Sequence, residues 1–133
     1  MLQLKRGLRL DCLGQPIKQA LETASQIGAE GVEINGRTSI RAKDMTRTAV
    51  RHFRKTLADL RLKICAIHFP VNHSFGEQEN LEQRIEATKE AMTMAYDLGC
   101  QVVVCDIGAI PNDEQHPQWA TMTEALTEIG NHG

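Results

Sequence analysis

Residues 8–13 (LRLDCL) alternate apolar and polar side chains, the period of a short, half-buried strand. After Gly14-Gln15-Pro16, with the proline at an expected first helical position, Ile17, Ala20, Leu21, Ala24 and Ile27 recur at helical spacing. Gly28 stands where a left-handed cap would end that helix. Val32-Glu33-Ile34 predicts a second strand. A second helix is predicted over residues 44–60, on Ala49, Val50, Phe53, Leu57 and Leu60, with Asp44 or Thr46 as its cap. Residues 63–69 (KICAIHF) predict a third strand. Asn80 is the expected cap of a third helix carrying Leu81, Ile85, Thr88, Met92, Ala95 and Leu98, which Gly99 ends. Residues 102–107 (VVVCDI) predict a fourth strand, and His116-Pro117 opens a last helix with Trp119, Met122, Leu126 and Ile129 on one side.

The pattern is four consecutive βα units, an α/β fold class with a mostly parallel sheet and right-handed crossovers. No linker or low-complexity segment interrupts it, so residues 1–133 are expected to form a single domain. Helix-to-strand turns are tight, as over residues 27–31 and 98–100. Three strand-to-helix loops are long: 35–43, 70–79 and 108–117. The carboxyl side of parallel strands, where these loops lie, is where α/β proteins keep their sites.

Composition narrows the class further. The chain is 41% hydrophobic with a net charge of −2, which is unlike a disordered protein. No apolar run approaches the roughly 20 residues of a membrane span, and residues 1–7 hold no leader-like apolar stretch. Cys12, Cys65, Cys100 and Cys105 form no CxxC pair and lie in apolar segments, so buried, reduced thiols in a cytoplasmic protein are expected. Aromatic residues are 4%, which weighs against a base-stacking surface. The charge is uneven. Residues 37–63 carry nine bases and two acids, whereas residues 77–133 carry two bases and eleven acids. Arg47, Arg51, Arg54 and Lys55 repeat at helical spacing and read as the wet face of an outer helix. That stripe belongs to no recognisable nucleic-acid-binding module, so a nucleic-acid partner is not expected. Met92, Met94 and Met122 read as core filler. GxGxxG, Walker, GxSxG and HExxH motifs are absent, which removes the commonest nucleotide, hydrolase and zinc-protease readings.

Each strand brings a polar group near its carboxyl end: Asp11, Glu33, His68 and Asp106. Parallel strands bring these four to one rim. Strict alternation puts His68 on the face of Ile64 and Ala66, Asp106 with Val102 and Val104, and Glu33 opposite Val32 and Ile34. Three carboxylates and an imidazole suit polyhydroxyl binding, proton transfer or a divalent metal. Each also has a plainer reading: Asp11 and Glu33 as acceptors for loop N–H groups, His68 as a hydrogen-bonded pocket residue, Asp106 as a shaper of the loop before Gly108. His68 and His73 are five apart, which suits no helical ligand pair. Arg37 and Arg41, with Lys43, can hold a phosphate in the second rim loop; a solvated loop is the alternative.

Residues 24–34 (ASQIGAEGVEI) resemble the "A…LGxxGVEI" entry into the second strand of the xylose isomerase-like TIM barrels. Residues 91–104 (AMTMAYDLGCQVVV) resemble that family's passage into strand four. The resemblance covers residues 8–130 and rests on structural motifs. It implies half of a (β/α)8 TIM barrel, and a complete barrel takes about 250 residues. It also implies a sugar phosphate isomerase or epimerase that uses a divalent ion (Mn, Mg, Co or Zn) in the full-length protein and a sugar or sugar phosphate as substrate. In that branch the metal ligands come from the fifth to eighth strands, so this chain alone is expected to hold no tightly bound metal and to be inactive. Glu33 corresponds to a frequent second-strand glutamate and His68 to a frequent third-strand histidine and candidate metal ligand; by the same resemblance Glu33, His68 and Asp106 are expected to bind and orient substrate or to support the metal's ligands, with Asp11 the weaker candidate. Endonuclease IV-type DNA-repair hydrolases are more distant members. They end strand four with histidine, where this chain has Asp106-Ile107-Gly108.

A half barrel leaves two open strand edges and a bare inner face. Three arrangements resolve this: a fragment of a longer protein, two copies pairing through open sheet edges as a homodimer, or a small doubly wound sheet. The end at a unit boundary fits the first best. The leading expectation is the N-terminal half of a metal-dependent sugar isomerase or epimerase. The alternatives are a metal-dependent phosphodiesterase acting on damaged DNA and a non-catalytic small-molecule-binding half barrel.

Overall fold

The structure, a computed structural model, describes residues 4–133; the reading of residues 1–3 as part of a segment too short for a leader lies outside them. Four parallel strands alternate with four helices: β1 (Gly7–Arg9), α1 (Ile17–Gln26), β2 (Gly31–Asn35), α2 (Arg47–Asp59), β3 (Lys63–Phe69), α3 (Leu81–Asp97), β4 (Val103–Cys105) and α4 (Pro117–Gly130). Short 3-10 turns occupy Leu10–Leu13 and Ala42–Asp44. The strand order is β1-β2-β3-β4 without a reversal. Crossovers of one hand stepping in one direction place every helix on the same face. A doubly wound sheet needs a reversal, so that arrangement is excluded.

The outer, helix-bearing face carries the core. Val32, Ile34 and Ile67 are fully buried in one cluster with Ala20, Leu21 and Ala24 of α1, Leu57 of α2, Met94 and Ala95 of α3, and Leu98 just past its end. A second cluster, Phe75, Ile85, Met122 and Ala125, joins the β3–α3 loop to α3 and α4. Met94 and Met122 fill these cores as expected, whereas Met92, the third expected filler, is only half-buried.

Local chemistry explains the boundaries. Gly28 (φ 81°) and Gly99 (φ 79°) take the left-handed conformation just past α1 and α3. Thr46 caps α2 by accepting from the Ala49 N–H; Asp44, the other expected cap, lies in the preceding turn. His116 caps α4 by accepting from the Gln118 N–H, with Pro117 in the first turn. Pro16 immediately precedes α1 rather than entering it. Asn80 precedes α3 but does not cap it, because its left-handed backbone (φ 54°) turns the side chain away from the helix end.

Three expectations are corrected. β1 ends at Arg9, since Leu10 turns into the core and the 3-10 turn closes on Gly14. Where the ladder would have continued, Asn35 Nδ2 donates to Asp11 Oδ2 at 3.1 Å. β4 ends at Cys105, leaving Asp106 just beyond it. The third concerns β3. Gly31 and Val32 pair with Lys63 and Ile64, but Glu33 pairs with Ala66, so Cys65 is an extra residue in a β-bulge. Ile64 therefore packs on the outer face with Ile67, while Ala66 and His68 point inward. Gly31 makes room for the bulge: a Cβ there would lie 2.1 Å from Cys65 Sγ.

The thiols also depart from expectation. All four cysteines are free, but Cys12 and Cys65 are exposed, Cys105 is half-buried, and only Cys100 is buried. Cys65 lies on the inner face, over which no helix among the described residues packs. No helix among the described residues is long and apolar enough to cross a membrane.

Candidate functional site

The inner face is built in layers. Arg9, Glu33 and Ala66 share one level through the strand pairing, and Asn35, His68 and Val104 the next. Val102 and Val104 remain 47% and 44% exposed there. At the carboxyl rim, polar side chains from all four units join in one network. Arg9 is its centre. Its Nη2 donates to His68 Nδ1 at 3.0 Å, its Nε lies 3.4 Å from Glu33 Oε1, and its Nη2 lies 3.8 Å from Asp11 Oδ2. His68 Nε2 faces Asp106 Oδ2 at 3.4 Å. Asn35 closes the ring, binding Asp11 through Nδ2 and accepting the Arg37 and Thr38 backbone N–H groups on Oδ1. The structure thus brings Asp11, Glu33, His68 and Asp106 to one rim.

Arg9 and Asn35 are the two members that the sequence reading passed over. Arg9 had a signal, lying two residues before Asp11 in an alternating segment and so on the same face. Asn35 follows Ile34, and its place beside His68 depends on the cross-strand register. The remaining predicted groups lie at the border. Arg37 stacks its guanidinium 4.5 Å from the centre of the Phe69 ring and donates from Nε to the Pro70 carbonyl at 2.7 Å. Arg41 instead pairs with Asp44 at 2.7 Å. His73 pairs with Glu77 at 3.1 Å, apart from the His68 network.

The rim loops are held from behind. Arg84 of α3, buried, donates to the carbonyls of Ser74, Glu77 and Glu79 and so pins the β3–α3 loop. That loop meets the next where Phe75 N–H donates to the Ile107 carbonyl at 3.1 Å. Gly108 (φ 86°) is required at the junction, because a Cβ would fall 2.5 Å from Ser74 Cβ. Burial, and then the Asp106 carboxylate, push the nearby Cys105 thiol above its ordinary pKa, which keeps it protonated at neutral pH.

A resident divalent ion does not fit the residues of this rim. The Arg9 guanidinium already stands as the cation among Asp11, Glu33 and His68, and it occupies His68 Nδ1. Elsewhere among the described residues, Glu82, Glu86 and Glu128 converge on the outer helices. Lys89 supplies the positive charge there, and the hydrogen bonds it donates, first to Glu128 and then to Glu86, hold its pKa up.

A family described as xylose isomerase-like TIM barrel matches residues 21–133. None of the curated proteins matches the chain. Among solved structures, a sugar phosphate isomerase/epimerase from Parabacteroides distasonis aligns with a TM-score of 0.64 at 20% identity, over 99% of this chain and 48% of its own. A D-psicose 3-epimerase aligns with a TM-score of 0.74 at 10% identity, over 97% and 48%. An AP endonuclease, family 2, from Brucella melitensis aligns with a TM-score of 0.68 at 15% identity, over 96% and 50%. At these identities the likeness establishes the fold. The chain spans about half the length of each.

Proposed function

Because the chain belongs to the xylose isomerase-like TIM barrel family, we propose that residues 1–133 are one half-barrel domain, the N-terminal half of a sugar or sugar phosphate isomerase or epimerase. The observation that carries this reading is the polar network on the inner face, centred on Arg9 and His68, in a sheet whose outer face is fully packed. Parallel sheets are almost always covered on both faces, and a barrel interior is filled by side chains from all eight strands. Exposed Val102 and Val104 are suited to meeting such side chains. A longer polypeptide or a second copy pairing through the β1 and β4 edges would provide them.

In this reading the substrate lies over the rim. Asp11, Glu33 and Asp106 accept hydrogen bonds from its hydroxyl groups, and His68 and Arg9 donate to its oxygens. Arg37, with its remaining guanidinium N–H groups, and Arg41 border the site on the side where a sugar phosphate group would lie. The divalent ion (Mn, Mg, Co or Zn) belongs to the complete protein, where it would polarise a carbonyl; this half orients the substrate and moves no proton itself. A cytoplasmic location accompanies the proposal.

The test is turnover. In an eight-unit assembly containing this segment, ketoses or their phosphates should exchange a carbon-bound hydrogen with solvent deuterium. His68→Ala should lower kcat/KM by about 10- to 100-fold, the size of one or two lost hydrogen bonds to substrate. The purified 133-residue chain should show no turnover. Cleavage of abasic-site DNA without sugar turnover, weakening steeply with salt through Arg47, Arg51 and Arg54, would replace this reading with a phosphodiesterase.

A further inference from the structure

We propose that Arg9 is a positioning residue that fixes the His68 imidazole as its Nε2–H tautomer, so that the ring presents a hydrogen-bond donor to a substrate oxygen. This deepens the reading of the inner face as a sugar site and rests on it.

The argument begins with Arg9 itself. Pairing of Arg9 with Glu33 places it on the inner face, and the Glu33 and Asp11 carboxylates hold its guanidinium from two sides, at 3.4 and 3.8 Å. From there Nη2 reaches His68 Nδ1 across the intervening strand β2, at 3.0 Å. A guanidinium has donors only and does not lose its proton in proteins. Nδ1 must therefore accept, and the ring proton of the neutral imidazole stands on Nε2. Only 14% of the His68 side chain is exposed, so the ring has little freedom to turn over.

The two ends of the ring differ. Nδ1 is held by a short contact from an anchored cation. Nε2 faces Asp106 at 3.4 Å, a long contact to a carboxylate that is 65% exposed and lies beyond the end of β4. Asp106 is thus the replaceable partner. A hydroxyl or carbonyl oxygen entering from the open side takes its place on Nε2–H, while Asp106 turns to accept a hydrogen bond from a substrate hydroxyl. The side chain selects an acceptor oxygen at that position and disfavours a bare cation or ammonium.

The tautomer is read without any substrate. In 15N-labelled 133-residue chain at neutral pH, long-range proton–nitrogen spectra should show His68 Nδ1 unprotonated and Nε2 protonated. Arg9→Met should move both nitrogens toward the averaged positions of a free, interconverting imidazole, and Arg9→Lys, which keeps a donor, should restore the wild-type pattern. A wild-type spectrum with the proton on Nδ1, or a folded Arg9→Met chain with unchanged ring nitrogens, overturns the proposal. Should Arg9→Met not fold, Glu33→Gln loosens the anchor instead; a partial shift supports the assignment and none overturns it. In the eight-unit assembly Arg9→Met should lower kcat/KM by about tenfold, with recovery in Arg9→Lys. A fixed tautomer in an assembly that turns over no sugar would retire the substrate reading while leaving the Arg9–His68 arrangement in place.

Discussion

The two faces of the sheet follow opposite rules. On the outer face Val32, Ile34 and Ile67 are fully buried, and the chain supplies everything that covers them. On the inner face the same strands present Arg9, Glu33, Asn35, His68 and Val104, which shelter one another at the rim but over which no helix among the described residues packs. Stability and chemistry are thus carried by alternate residues of the same short segments. A substitution on one face should be felt as unfolding, and its neighbour on the other face as a change at the rim.

The sharpest contrast is within β3 and β4. Ile67→Ala removes a fully buried side chain between sheet and helices and should destabilise the chain by about 2–5 kcal/mol in urea unfolding. Next in size is Arg84→Met, which leaves the Ser74, Glu77 and Glu79 carbonyls without their buried donor. It should cost about 1–3 kcal/mol and raise hydrogen exchange across residues 74–79, since the buried carbonyls lose their partner while the loop gains freedom. Smallest is Val104→Thr on the inner face. It should change the stability of the 133-residue chain by no more than about 0.5 kcal/mol, as an exposed site does. A loss as large as that of Ile67→Ala would mean that the inner face is covered in solution, and gel filtration of the same sample would show whether a second copy covers it.

The outer face was the more legible one. Helical spacing located α1 to α4 because each buries one apolar stripe, and Gly28 and Gly99 marked ends that only a left-handed residue reaches easily. The inner face was legible in part. Asp11, Glu33, His68 and Asp106 could be found because each stands near a strand end, and parallel strands gather those ends at one rim. Arg9 could not be ranked by the same rule, since its meaning lies in a contact that spans β2. The exposure of Cys65 was missed for a related reason, since an apolar strand predicts burial only when both faces of its sheet are covered, and Cys12 is exposed because a 3-10 turn replaces the end of the expected strand.

The bulge at Cys65 has a consequence of its own. Under strict alternation from Ile64, with no bulge to take up the extra residue, His68 would turn toward the helices, and Arg9 would have no imidazole to meet. One additional amino acid acts as a phase slip in an otherwise regular two-step rhythm, converting a strand that begins as scaffold into one that finishes as recognition surface. Removing Cys65 would leave Ile67 toward the helices and His68 toward the rim in a regular ladder with β2, whereas flattening the bulge with the residue still in place would exchange those two roles along the rest of the segment, a far larger alteration than replacing any one side chain in it.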